Sequence, residues 1–193
     1  MIRAATTLII LLAAADLRAG EFALGPARIE ASGYLKELWD YSHSALDGRA
    51  YGLSLSRARV TLEASASVFK VHADYDHEVF AGSFLRTAEY RLYGLGGGAG
   101  WLDMEQTIST SATSLWRHRL YRGWAGLETD KTSLRFGRQR IAWGTGKLWN
   151  PTDVLNPYQP ISVEREDRRG VDAAYFRGSL GELSQFEAAY APQ

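Results

Sequence analysis

The feature that most constrains this sequence is a two-residue alternation of apolar and polar side chains, which returns in one segment after another. Ala58, Val60 and Leu62, for example, alternate with Arg59, Thr61 and Glu63. This period is typical of a β-strand with two chemically different faces. The alternation marks seven segments, near residues 29–41, 51–64, 69–76, 117–127, 132–139, 171–175 and 185–190. We therefore predict an all-β, antiparallel protein.

The connections between the predicted strands alternate strictly between short and long. Short turns are expected at 65–67, 128–131 and 178–182, and longer connections at 42–50, 77–116 and 142–167. This rhythm is typical of an up-and-down transmembrane β-barrel of the bacterial outer membrane, with short periplasmic turns and longer outer loops. A soluble antiparallel β-protein is the alternative fold, because its solvent-exposed face would also tolerate rows of charged side chains.

The N-terminal segment has the composition of a secretory signal peptide. Arg3 supplies the positive charge, residues 8–15 form a short apolar core, and small residues at 13–15 and at Ala19 give two candidate cleavage sites. The apolar run is shorter than the roughly 20 residues that a transmembrane helix needs. We expect residues 1–19 to be a signal peptide and residues 20–193 to form barrel strands and loops in the bacterial outer membrane.

Charge balance and the lack of cysteine argue against several kinds of partner and site. The chain has 22 basic and 22 acidic residues, whereas a nucleic-acid-binding protein needs a basic excess. Without cysteine there is no thiolate metal site. His72, Asp74 and Asp76 share one strand face, but at roughly 6.5–7 Å apart they are too widely spaced to bind one ion together. We expect no nucleic acid, no metal and no cofactor.

The number of predicted strands indicates that this sequence is the N-terminal part of a longer barrel. Seven is an odd number, whereas single-chain bacterial barrels have an even number of strands. Either a further strand lies within 84–93, or the barrel continues beyond this sequence, and we favour the second interpretation. A half-barrel alone would expose two unpaired strand edges to lipid.

A Gly-Arg-Gln strand followed by a turn-rich aromatic segment matches a known group of proteins. The matching residues are 137–139, 142–146, 149–153, 156–157 and 164–172. This stretch resembles an uncharacterised group of Gram-negative outer-membrane porin-like barrels, and a shorter part of it is similar to alginate-export-type barrels. The rest of the chain is similar only in its strand rhythm. The resemblance implies a transport or pore function and does not name a solute.

The connection at 142–167 is the best candidate for a functional element. Its tryptophans and Asn-Pro pairs indicate an ordered loop, and the residues expected to order it are Trp143, Trp149, Asn150, Pro151, Asn156 and Pro157. Folded into the lumen, the loop and the strand after it would place charges of both signs at a constriction, from Asp153, Glu164, Arg168 and Arg169. A mixed set of charges selects weakly between anions and cations. The alternative is a surface loop that closes the outer face or contacts lipopolysaccharide.

Strand parity adds further pore-lining candidates. Arg57, Arg59 and Arg135 lie on the polar parity of their strands, and Gln139 and Asp172 complete the set. On the predicted strand at 117–127, the same alternation puts Tyr121 on the apolar face with Leu127.

The orientation of two further arginines is left open by the alternation. Arg138 and Arg140 share the parity of Phe136, so a regular strand would turn them outward and a bulge would turn them inward. An outward arginine at the bilayer midplane costs ~2–4 kcal/mol, which favours either an inward turn or a position near the lipopolysaccharide phosphates.

The function that these patterns favour is a passive outer-membrane channel for small solutes, which is not an enzyme. A scaffold barrel that holds a periplasmic electron-transfer or secretion partner is the second hypothesis, and an outer-membrane hydrolase is the third. The expected partners are outer-membrane lipid, lipopolysaccharide and small solutes. A homo-oligomer is left open.

Overall fold

The protein is almost entirely β-structure in the residues that the computed structural model describes, which are 8–44, 46–95, 100–141, 170–181 and 184–192. Nine strands follow one another along the chain: β1 (Leu8–Leu24), β2 (Ala27–His43), β3 (Ala50–Ala66), β4 (Phe69–Ala81), β5 (Glu105–Thr110), β6 (Ser114–Glu128), β7 (Thr132–Gln139), β8 (Val171–Ser179) and β9 (Gln185–Tyr190). A short 3-10 helix (Ser83–Arg86) and helix α1 (Ala88–Tyr93) lie between β4 and β5.

The strands form one antiparallel sheet whose order follows the chain. Its path is β1-β2-β3-β4-β6-β7-β8-β9, and β5 pairs with β6 beside this path. Among the described strands, β1 pairs with β2 and β9 pairs with β8, so the sheet has two edges and is not closed. The predicted all-β, antiparallel, up-and-down fold is confirmed at this level.

The alternation of short and long connections is also present. Two-residue turns join β1 to β2 and β3 to β4, and short turns join β6 to β7 and β8 to β9. The other connections are longer, at 44–49, 82–113 and 140–170. One end of the sheet therefore carries the short turns and the other carries the long connections. We call them the turn end and the loop end.

The strand count differs from the prediction. The less favoured alternative, a further strand within 84–93, is wrong, because Thr87 caps a helix there by accepting a hydrogen bond from the Tyr90 amide. The two strands that alternation did not mark are β1 and β5. Strands β2 and β3 have 17 residues each, which is well beyond the 9–11 expected for a minimal membrane crossing.

Strand β1 overlaps the predicted signal peptide. Its backbone pairs with β2 from Leu8, opposite Tyr41, to Leu24, opposite Ala27. The register shifts twice along this pair, between Leu12 and Ala14 and between Ala19 and Glu21. Cleavage of residues 1–19 concerns processing of the chain and stays a prediction.

The sheet buries charged side chains on one face and exposes apolar side chains on the other, which is the reverse of the arrangement in a water-soluble protein. Arg57, Arg59, Asp76 and Glu78 are buried on one face, which we call the inner face. The opposite, outer face exposes large apolar side chains, including Leu35, Val60, Leu62, Val71 and Phe136. No helix among the described residues is long and apolar enough to cross a membrane.

Candidate functional site

The centre of the inner face is a ladder of opposite charges that crosses three neighbouring strands. The register places Arg57 of β3 opposite Glu78 of β4, and Glu78 opposite Arg117 of β6. Arg57 Nε donates to Glu78 Oε1 at 2.7 Å, and Arg117 Nε donates to Glu78 Oε2 at 2.8 Å. Glu105 of β5 extends this row, since it accepts from Arg117 Nη1 at 2.8 Å.

The next row toward the turn end repeats the arrangement. Arg59 donates to both carboxylate oxygens of Asp76, at 2.5 and 2.8 Å. Arg119 joins the two rows, because its Nη2 lies 3.4 Å from Asp76 Oδ2 and 2.9 Å from Glu78 Oε1. Each buried carboxylate is thus shared by several guanidinium groups, which is the geometry that makes charge-assisted hydrogen bonds strong.

Aromatic rings complete the packing around these arginines. The Arg59 guanidinium lies 4.1 Å from the centroid of the Tyr121 ring, and the Arg119 guanidinium lies 4.9 Å from it. Tyr121 is buried, whereas Leu127 on the same strand is exposed. The prediction that these two residues share a face is therefore wrong. A register shift opposite Asp74 and Tyr75 inserts Tyr121 as an extra residue in β6 and turns it inward.

The ladder is a structural unit as well as a candidate site. Asp76 and Glu78 have no exposed surface, so their charges are separated from water. Removing one partner of a buried ion pair costs about 3–5 kcal/mol, because the other charge stays buried without compensation. The ladder therefore fixes β3, β4 and β6 in one register.

A second ion pair lies where β7 meets β8. Arg138 and Asp172 are direct neighbours across these strands, and Arg138 donates through Nε and Nη2 to the two Asp172 oxygens, each at 2.9 Å. The segment before β5 is tied to this pair: the Leu102 carbonyl accepts from Arg138 Nη2 at 2.6 Å, and the Leu102 amide donates to Asp172 Oδ2 at 2.9 Å.

The residue before Arg138, Gly137, has an unusual backbone conformation. Its φ of +122° is one that residues with side chains rarely adopt, and a Cβ atom there would lie 2.3 Å from the Gly123 carbonyl oxygen. Arg138 and Gln139 are both buried, although regular alternation would turn successive residues to opposite sides. Of the two arginines whose orientation the sequence left open, Arg138 is buried in its pair with Asp172 and Arg140 is exposed.

At the turn end, the inner face opens into a cleft of about 450 Å³. Arg135 lies in its lining with its guanidinium 4.4 Å from the centroid of the Trp124 ring. Glu128 accepts from Arg135 and forms an ion pair with Lys70 at 3.0 Å. The cleft carries both signs of charge, and part of it is accessible to solvent.

At the loop end, an apolar row replaces the charges of the inner face. Leu38, Leu55, Phe80 and Leu115 are all buried there. The chain turns back at Gly82 and places Phe84 and Leu85 of the 3-10 helix on this row. We call residues 82–93 the lid. The two-residue alternation does not predict the lid, although Thr87, a residue type favoured at helix N-caps, is followed by a helix-favouring segment.

The predicted site residues have different outcomes. Arg57 and Arg59 lie together in the ladder, while Arg135 and the Arg138–Asp172 pair lie farther along the sheet. Gln139 is buried and donates to the Arg135 and Ala173 carbonyls. The remaining candidates lie outside the described residues: Trp143, Trp149, Asn150, Pro151, Asp153, Asn156, Pro157, Glu164, Arg168 and Arg169.

Metal ligation receives no support from the described part of the chain. No group of three or more histidine or acidic side chains there is arranged to hold a metal ion. His72 instead lies 3.2 Å from Glu63 and 3.2 Å from Asp74, and it stacks on the Trp124 ring.

Comparisons of this chain with protein-family models, with curated proteins and with solved structures found no match. The class of protein is therefore defined by the fold and the site alone. The chain is an antiparallel up-and-down sheet with a charged, largely buried inner face and an exposed apolar outer face.

Proposed function

We propose that this chain forms part of the wall of a bacterial outer-membrane β-barrel that passes small solutes. The observation that carries the proposal is the inversion of the sheet. Buried charges on one face and exposed apolar side chains on the other are the arrangement that a barrel needs when lipid surrounds it. A soluble antiparallel protein would place these faces the other way around.

The exposed apolar side chains of the outer face form a band across the strands, and the height of this band supports a position in a bilayer. On β4, the outward side chains from Phe69 near the turn end to Val79 near the loop end are apolar except for His77, which lies opposite His118 of β6 and accepts a hydrogen bond from the Trp116 indole. Phe69 and Val79 are ten positions apart, or about 33 Å along a strand, which becomes about 25 Å along the membrane normal at a tilt of about 40°. This matches the height of about 25 Å typical of the apolar band in such barrels.

Aromatic side chains lie at the loop-end border of the band. Trp39, Tyr41 and Trp116 are exposed on the outer face there. Trp39 donates its indole N–H to Glu37 at 2.8 Å. Amphipathic rings of this kind are enriched at the membrane interface, where one side contacts hydrocarbon and the other contacts water.

The direction of the edge strands supports a larger barrel. Removal of residues 1–19 by the predicted cleavage would leave only residues 20–24 of β1 beside the start of β2, so that β2 forms most of one edge of the described sheet and β9 forms the other. These strands run in the same direction, because five strands of alternating direction separate them in the sheet. Antiparallel closure therefore needs an odd number of additional strands. The total is then even, as in single-chain bacterial barrels.

The burial of the ladder favours a second candidate function, a scaffold barrel with a closed lumen. Arg57, Arg59, Asp76 and Glu78 are each no more than 7% exposed, so they do not line an open water column. A scaffold of this kind would hold a periplasmic partner in the membrane without passing solutes.

Single-channel conductance of the protein encoded by the complete gene, in a planar bilayer with solutes of graded size, separates the two functions. We expect a steady conductance that small solutes pass and large solutes block, with weak selectivity between anions and cations. Arg122→Glu, on the inner face, should change the reversal potential, and Val60→Ala, on the outer face, should not. A folded, heat-modifiable barrel without conductance would overturn the channel proposal in favour of the scaffold.

A further inference from the structure

The lid covers the inner face at the loop end and is held there mainly by apolar contacts. Phe84 is 3% exposed and Leu85 is 7% exposed. The Phe84 ring lies 5.0 Å from the Tyr51 ring of β3 and 6.1 Å from the Tyr90 ring of α1. Ser83 also accepts a hydrogen bond from the Gly52 amide at 3.0 Å.

One side chain of the lid forms a polar contact with a neighbouring connection. Glu89 of α1 is 7% exposed, and its Oε1 accepts hydrogen bonds from Ser44 Oγ at 2.5 Å and from the Leu46 amide at 3.1 Å. Ser44 in turn accepts from the Asp47 amide at 3.0 Å. The carboxylate of Glu89 therefore joins the lid to the 44–49 turn.

The other oxygen of this carboxylate is in an unusual position. Glu89 Oε2 is buried and has no hydrogen-bond partner in the described part of the chain. Oε2 is therefore free to take up a proton, and the hydrogen bonds to Oε1 would then be made to a neutral carboxyl group, which accepts them more weakly than a carboxylate does.

We propose that Glu89 is an acid-sensitive latch, which holds the lid over the loop-end mouth at neutral pH and releases it on protonation. The latch rests on the proposed function only for its effect on solute passage. Its mechanical part, the release of the lid, does not depend on whether the barrel conducts.

The electrostatic surroundings agree with this direction. Burial raises the pKa of Glu89, but the hydrogen bonds from the Ser44 hydroxyl, from the backbone amide of Glu89 itself and from the Leu46 amide together outweigh burial and hold the pKa below its usual range. Asp47, on the facing turn, acts in the opposite sense by raising this pKa. Because the carboxylate has the lower pKa when the latch is closed, the latch is strongest above the usual pKa of about 4.3 and weakens as pH falls.

The charged groups around Glu89 come from every element that packs near it. The 44–49 turn contributes Asp47 and Arg49, which lie 3.9 Å apart as an ion pair. Strand β3 contributes the Tyr51 hydroxyl, which interacts with Glu89, and α1 contributes Arg91, which interacts with Asp47. Asp40 of β2 interacts with Tyr51 rather than with Glu89 directly.

A spin label at Leu92→Cys tests the latch in the protein encoded by the complete gene, reconstituted in lipid vesicles. The chain has no cysteine of its own, and Leu92 is 67% exposed on α1. Lowering the pH from 7 to about 3.5 should raise the ratio of mobile to immobile label roughly tenfold, as expected when a charge-assisted hydrogen bond becomes a neutral one. Glu89→Gln, which mimics the protonated form, should raise this ratio roughly tenfold already at pH 7 and remove its dependence on pH.

Asp130→Asn is the matched control, because Asp130 is an exposed acid at the opposite end of the sheet. It should show the same pH response as the unsubstituted protein. An immobile label at both pH values, or a Glu89→Gln spectrum at pH 7 equal to that of the unsubstituted protein, would overturn the latch. A lid that moves in a barrel without conductance would keep the latch and remove only the proposed channel.

Discussion

Glu78→Gln is the substitution that probes the buried charge ladder most directly. Glu78 has no exposed surface and accepts from Arg57 at 2.7 Å, from Arg117 at 2.8 Å and from Arg119 at 2.9 Å. Glutamine keeps the shape of the side chain but removes the negative charge that three guanidinium groups share. Because buried charges then lack their counter-ion, we expect the free energy of unfolding to fall by about 3–5 kcal/mol.

The assay is a urea titration of tryptophan fluorescence on the protein folded in lipid vesicles. Glu63→Gln is the matched control, because Glu63 makes its ion pair with His72 at 3.2 Å while its side chain is 59% exposed. Exposed pairs contribute about 0–1 kcal/mol, so this control should lose no more than that. Equal losses for the two variants would refute the reasoning, since the ladder would then contribute no more than a surface ion pair.

Three further substitutions test other parts of the sheet with the same titration. Gly137→Ala should cost about 1–3 kcal/mol, because its φ of +122° and the nearby Gly123 carbonyl leave no room for a Cβ; an unchanged midpoint would contradict this geometry. Arg138→Met should cost about 3–5 kcal/mol by leaving Asp172 buried without its partner, and a loss below 1 kcal/mol would show that the pair is hydrated. Phe84→Ala should also cost about 3–5 kcal/mol, whereas a neutral result would mean that the lid does not pack on the apolar row.

The strands could be predicted from the sequence because the alternation is a local signal. Each of the seven marked segments lies within a strand of the structure, and the short and long connections between these strands alternate as expected. Alternation also predicted that Arg57 and Arg59 share a face, and both are buried on the inner face. These features depend only on side-chain period and turn chemistry.

The partners of these residues could not be predicted, because they depend on the register between strands. Arg57 meets Glu78 only because β3 and β4 pair in one particular alignment. Two departures from regular strand geometry could not be predicted either. An extra residue in β6 turns Tyr121 inward, and Gly137 has a positive φ next to the buried Arg138. An extra residue or a one-residue shift in register moves a side chain to the opposite face of the sheet, and the periodic pattern of the sequence does not show where such a shift occurs.

The structure of the lid could not be predicted for a different reason. Residues 84–93 were considered as a further strand, but Thr87 caps a helix whose neighbours pack on the apolar row. Local propensity permits both structures in so short a segment, and the tertiary contacts of Phe84 and Leu85 decide between them.

The central claim is that the apolar outer face of the sheet lies against lipid while the inner face does not. Because these 193 residues contain no cysteine, Val60→Cys, Thr61→Cys and Leu62→Cys each provide one site for a fluorescent label in reconstituted vesicles, once any cysteine elsewhere in the complete gene product is replaced by serine. Val60 and Leu62 are exposed on the outer face, and Thr61 donates to Asp74 on the inner face at 2.7 Å. We predict strong quenching by quencher-labelled lipid acyl chains at positions 60 and 62 and weak quenching at 61. Equal quenching at the three positions, or the strongest at 61, would contradict the account.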